Sequence, residues 1–249
     1  MAGGATMTAF DLYEAESVRH VRVPVQGPSL PGAAWGRVAG DLVTFVLFIR
    51  EQMSAPYAQI RAIVDRELQR RSNGISQRSS QMNRHIKFAN EVQSVLDAVS
   101  CLFASRRVYR LEIVIGSSLS SFRESYCMCL GDGLAGHSMI VDEDAASRAS
   151  DTLSRHLIRL LISDCSDHLS APMPKCSTFL LALCDREGTS PPGFAPKHNL
   201  RVRPRKGARS IRLRFDLVDD EEGTNHACDR IWFQSLSTIS GLRGPVKSL

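Results

Sequence analysis

Aromatic side chains are scarce in this sequence, only 6% of its 249 residues. Aliphatic side chains must therefore do most of the packing in any core. No apolar run is long either. The best, "LVTFVLFI" at 42–49, is broken by Thr44 and falls short of the roughly 20 residues that a bilayer span needs. The first twenty residues have neither a basic start nor an extended apolar stretch, so no signal peptide is expected. The seven cysteines lack a repeating spacing, which gives no disulfide framework. Reduced thiols in a cytosolic or nuclear protein are the expectation. Neither an internal repeat nor a linker divides the chain.

Signatures of catalysis are missing as well. "GDGLAG" at 131–136 has three glycines but no following lysine, and reads as a surface turn. "GHSM" lacks the flanking pattern of a nucleophile elbow. Cys127 and Cys129 sit two apart, too close for a zinc pair and without a second pair. They read as small buried hydrophobes. The histidines are scattered, and the acidic run Asp219–Glu222 reads as a solvated turn. No enzyme, no cofactor and no metal is expected.

What is present suits one folded domain, with 43% hydrophobic and 23% charged residues and a mild net charge of +5. A first helix is predicted from about Gly32 to Gln52, apolar nearly all round in its second half and hence central. An amphipathic helix follows over "APYAQIRAIVDRELQRR". The clearest helix places Ala89, Val92, Leu96, Val99 and Phe103 on one face. The period then changes to two. "VYRLEIVIG" and "ESYCMCL" read as a hairpin, "STFLLALCD" as a central strand and "SIRLRFDLV" as a strand with one wet face. Pro24 marks "VRVPVQGP" as an edge strand. "REGTSPPGFAPKHN" reads as a loop. The order of elements predicts an α+β fold, an antiparallel sheet with helices on one face.

Two features invite partners. "RVRPRKGARSIRLR" carries seven cations in fourteen residues, a candidate phosphate-binding stripe without an interleaved aromatic. A helix predicted at 145–169 carries two apolar stripes. One holds Leu153, Leu157, Leu160 and Leu161, the other Ile158, Ile162, Cys165 and Leu169. Together they exceed the width of a simple surface helix, so the helix is sandwiched or one stripe awaits a partner.

Five short strings then share an order and spacing with one family: Pro56, Tyr57 and Gln59; "EVQSVL" at 91–96; "RLEIVIG" at 110–116; "APKHNLRV" at 195–202; and Asp229 followed by "IWFQ" at 231–234. From about Val21 to Gly244 the chain resembles the comet family of HORMA-fold adaptors, which bind the spindle-checkpoint protein Mad-two. The resemblance implies a HORMA-like domain at 21–244, with a flexible lead-in at 1–20 and a tail at 245–249. It implies a carboxyl-terminal safety belt, closed on its own domain and anchored by Ile231, Trp232 and Phe233.

The function implied is non-enzymatic. Such a protein recognises closed Mad-two, or a related HORMA client of meiotic chromosome axes, and presents it to a hexameric AAA+ ATPase of the Pch-two type. That remodelling silences the spindle checkpoint. The client face would use Ile49, Leu157 and Leu161, and the ATPase face Pro196 and Lys197. The expected locations are nucleus and cytoplasm, including kinetochores or meiotic chromosomes. No membrane is expected, and nucleic acid is the alternative partner, through the arginine-rich stretch 201–214.

Overall fold

Pro31, its φ fixed at −63°, ends an extended lead and starts the first helix, α1 (Gly32–Ile49). The computed structural model describes residues 17–25, 30–74, 79–130, 134, 142–186, 188–217 and 230–242. The loop at 131–136 apart from Leu134, the acidic run at 219–222, Asp229 and the tail 245–249 lie outside the described residues. So do residues 1–16 of the expected lead-in. Its last residues, from Ser17, begin the first strand, β1 (Ser17–Val25).

Three long helices follow α1: α2 (Tyr57–Ser72), α3 (Ser80–Ser105) and α4 (Glu143–Asp164). A single turn, α5 (Ser166–Ser170), completes the predicted 145–169 element after a break at Cys165. Gly32, Gly36 and Gly40 recur every fourth residue along α1 and face α3. A Cβ on Gly36 would stand 3.3 Å from the Cα of Ser100, and one on Gly32 would overlap the carbonyl of Phe103. Glycine here lets two helix backbones approach closely.

Elsewhere α1 buries Trp35, Val38, Leu42 and Val46 in the main core. It has the length and mean hydropathy (1.4) of a membrane span, yet half of it is buried inside the protein, as in a central core helix. The helix closes with Glu51 at φ 54°, Gln52 N–H bonding the Leu47 carbonyl and Glu51 N–H that of Phe48. This is a Schellman ending with glutamate where glycine is usual.

The remaining strands are β2 (Val108–Gly116), β3 (Phe122–Leu130), β4 (Ser177–Asp185), β5 (Phe194–Lys197), β6 (Pro204–Leu217), β7 (Arg230–Ser235) and β8 (Ile239–Ser240). The sheet runs β1-β6-β3-β2-β4-β7-β5, with β8 pairing the far end of β4. It is α+β and mostly antiparallel. The departure is β6, parallel to both β1 and β3. The chain leaves β5 at one edge, crosses the outer face past four intervening strands and enters β6. A crossover of that length frees β6 from hairpin geometry.

Alternation follows the pleat. Leu111, Ile113 and Ile115, with Leu180, Ala182 and Cys184, pack under the helices. Val114, Phe122 and Leu181 form a smaller cluster on the other face, beneath Leu200 and Val202 of the crossover.

The stretch "REGTSPPGFAPKHN", expected as a loop, contributes the edge strand β5. β7 offers it a free ladder, and tertiary pairing overrides local preference. Pro196 is tolerated because an edge strand has a spare side.

The chain end is tied down. Ile231 and Phe233 join the main core, and Trp232 packs on the opposite face against Leu183 and Tyr109. Leu236, just past β7, is 71% exposed. Beyond it, Ser240 N–H donates to Glu91 Oε2 of α3 at 2.9 Å, and Leu242 N–H to the Gln52 carbonyl at 2.6 Å. Gln52 in turn receives Cys176 N–H on its side chain at 2.8 Å.

Beneath α1, Glu124 is buried and gripped by Arg50 Nε at 2.7 Å and Nη2 at 2.9 Å. Arg209 binds the same carboxylate, and the Tyr126 hydroxyl donates to it at 3.1 Å. Arg50 also donates to the Ala171 carbonyl at 2.8 Å, which pins the end of α5.

Candidate partner-binding face

α1 and α4 lie side by side and run the same way. Arg37 Nη1 donates to Ser147 Oγ at 2.6 Å near their starts, and Arg50 donates to the Leu169 carbonyl beyond their ends. Two apolar side chains remain outside at the later end of this pair: Phe48 is 42% exposed and Ile162 51%. Phe45 and Ile158, one turn earlier on each helix, are half-buried. Phe45, Phe48 and Ile158 line a groove of about 580 Å³, with Leu96 of α3 and the polar rim of Asp41 and Asp151. An apolar strip with a charged border is the usual composition of a protein-recognition patch.

The structure corrects the expected client face. Leu157 is 1% exposed and Leu161 0%; both sit in the main core and have no surface to offer. Ile49 is half-buried. The second stripe of α4 supplies the outward side chains, though only in part. Ile158 and Ile162 face out, while Cys165 is buried and Leu169 packs against the core. The two-stripe pattern was the usable signal. It lacked the information that α1 and β1 would cover the leucine stripe.

Pro196 and Lys197 are both exposed, on β5 and not in a loop. In register, Pro196 stands opposite Phe233 and Lys197 opposite Trp232. The expected ATPase face and the expected belt anchor therefore share one strand pair, at the sheet edge away from β1. Arg230 stacks its guanidinium 3.7 Å above the Tyr109 ring on the same outer face.

Further across that face, Cys127 and Cys129 approach to 3.3 Å between sulfurs. Cys127 is buried and Cys129 half-buried. The hydrogen bond to Cys129 and burial push the Cys127 thiol well up, while that same bond, with Arg110, holds Cys129 below the ordinary thiol range. No group of three His, Cys, Asp or Glu gathers as a metal site among the described residues.

The arginine stretch does not form one stripe. Arg212 and Arg214 alternate with the buried Ile211, Leu213 and Phe215 and so take the outer face. Arg209 turns inward to Glu124, and Arg201 and Arg203 sit exposed in the crossover.

A sequence profile described as "p31comet: Mad1 and Cdc20-bound-Mad2 binding" matches residues 5–244. The chain belongs to the p31comet family. The match spans every strand and helix from β1 to β8, so the resemblance read from five short strings extends over nearly the whole chain. A human relative, the MAD2L1-binding protein, is 27% identical over 248 residues, covering 96% of this chain and 86% of the human one. The p31comet match includes the Phe48–Ile162 face, the β5–β7 edge and the segment tied to Gln52.

Proposed function

We propose that this protein is a Mad2-binding adaptor, and that its α1–α4 face is the surface that takes Mad2 in its client-bound, closed form. One observation carries the reading. Within a chain matched over residues 5–244 by a family described by Mad1 and Cdc20-bound-Mad2 binding, two neighbouring helices leave large apolar side chains in solvent. Phe48 and Ile162 act as anchors, flanked by Phe45 and Ile158. Arg37, Asp41 and Asp151 set orientation from the rim, where charges steer encounter more than they add affinity.

In this reading the domain is HORMA-like, with residues from β6 onward as a safety belt. β6 lies near one edge of the sheet and β7 near the other, and the segment after β7 ends against Gln52 and Glu91. The belt is closed on itself, which leaves the α1–α4 face as the recognition surface. The β5 edge, with Pro196 and Lys197 beside Trp232, presents the bound client to a hexameric AAA+ ATPase. The ATPase supplies the energy for remodelling, and the adaptor itself catalyses nothing. Checkpoint silencing follows from resetting Mad2, and the same route serves HORMA clients on meiotic chromosome axes.

The test uses purified full-length protein with Mad2 carrying a Cdc20 peptide, and separately with the ATPase. Wild type binds both. Lys197→Glu keeps Mad2 and loses the ATPase. Failure of wild type to bind client-loaded Mad2 contradicts the adaptor reading, and an unchanged ATPase interaction in Lys197→Glu contradicts the edge assignment.

A further inference from the structure

The amino-terminal end of β6 contains an irregularity that lies outside the proposed α1–α4 face. β3 advances from Phe122 to Glu124 while β6 advances from its partner Pro204 to Arg209. The surplus residues leave the ladder as a wide bulge. Gly207 takes φ +77° in open space there, a conformation that suits glycine. Bulges of this kind re-aim side chains and concentrate beside functional sites. Here the bulge lifts Arg205 and Lys206 into solvent, and Ala208 returns to the small outer-face core.

Arg205 and Lys206 border a cleft of about 270 Å³, completed by Arg123, Arg209 and the Pro172–Pro174 turn. Glu124 is the only carboxylate in its lining. That carboxylate is already occupied, by Arg50, Arg209 and the Tyr126 hydroxyl. Arg123, Arg205 and Lys206 form no ion pair among the described residues. Four cations therefore share a small cleft whose one anion is spent behind them.

We propose that this cleft binds a phosphoryl group, carried by a phosphoserine or phosphothreonine of a protein partner. A dianionic group with three acceptor oxygens matches converging arginine forks, which pair with phosphate in a bidentate manner. The size of the cleft admits one such group. Its lining holds no aromatic ring on which a base would stack, which sets a phosphorylated side chain above single-stranded nucleic acid. The site accounts for the cationic residues at 205–209, which neither the α1–α4 face nor the β5 edge employs.

The experiment measures binding of a phosphoserine peptide, its unphosphorylated twin and inorganic phosphate to the full chain, at fixed ionic strength. A short DNA duplex serves as the competing arm. The variant is Arg205→Ser with Lys206→Ser, both exposed and outside the core. Arg201→Ser, in the crossover, is the charge control. The phosphopeptide is expected to bind at least tenfold tighter than its twin. The double variant should lose at least tenfold with an unchanged melting temperature, and Arg201→Ser less than threefold. Inorganic phosphate should compete with the peptide. Equal binding of the two peptides, unchanged binding in the double variant, or salt-steep binding to duplex without a preference for phosphopeptide would each overturn the proposal.

Discussion

Arg50, at the carboxyl end of α1, holds both carboxylate oxygens of Glu124 on the sheet, at 2.7 and 2.9 Å. Their side chains are 2% and 4% exposed. The pair joins the helix layer to the sheet directly below the turn that ends α5. Breaking a buried pair strands the other charge, so Arg50→Ala should cost about 3–5 kcal/mol. Urea denaturation measures it. Replacing both partners, Arg50→Met with Glu124→Leu, should recover only part of that loss: Arg209 is part-exposed and can turn to water, but the buried Tyr126 hydroxyl and the Leu169 and Ala171 carbonyls lose their partners.

The α1–α3 crossing gives a second prediction, with opposite signs at two glycines. A methyl at Gly32 meets the Phe103 backbone, which cannot yield, so Gly32→Ala should destabilise by about 1–3 kcal/mol. A methyl at Gly40 meets only the tip of Leu96 at 3.4 Å, an ordinary contact. Alanine also favours a helix over glycine by about 1 kcal/mol. Gly40→Ala should therefore be neutral or stabilising. Thermal melts of the two variants decide the point.

Alkaline pH should weaken the fold. Burial pushes the Cys184 thiol from its ordinary 9.0 up to about 12, and burial, with Glu124, raises the Tyr126 phenol. The unfolded chain releases these protons first. Their stabilising contribution is intact below about pH 9 and is lost as pH rises towards 12. A single such group contributes a slope of at most about 1.4 kcal/mol per pH unit. Urea midpoints under reducing conditions should fall across that window, and Cys184→Ala should flatten the fall even if it lowers stability throughout.

Deletion of residues 230–249 removes β7 and β8 and exposes what they cover. Ile231 and Phe233 are 5% and 3% exposed, and each buried side chain of this size contributes about 1.5–3 kcal/mol. Native domains have only about 5–15 kcal/mol in total. The truncated chain should lose at least about 10 °C in melting temperature or fail to fold. An unchanged melting temperature would show that the end of the chain is an appendage.

Where patterns were local, the sequence was readable. The α3 face and the alternation in β2 follow from spacing alone. β5 was not, because "SPPGFAPK" has the composition of a turn and becomes a strand only through pairing with β7. The parallel setting of β6 depends on a crossover four strands wide, which no window of residues encodes. The client face was half legible. The two stripes of α4 are visible in the sequence, but which one turns inward depends on α1 and β1, which bury Leu157 and Leu161 and leave Ile158 and Ile162 on the outer side. The run Gly32, Gly36 and Gly40, spaced every fourth residue, marks the face of α1 that meets α3.

The central claim is that Phe48 and Ile162 anchor Mad2. It is tested most directly by calorimetric titration of Cdc20-peptide-loaded Mad2 into wild type, Phe48→Asp, Ile162→Asp and Arg70→Asp, the last an exposed residue of α2. Wild type should bind, Arg70→Asp should match it, and each ridge variant should lose at least tenfold while melting within a few degrees of wild type. Wild-type affinity in both ridge variants, or no binding by wild type, would contradict the account.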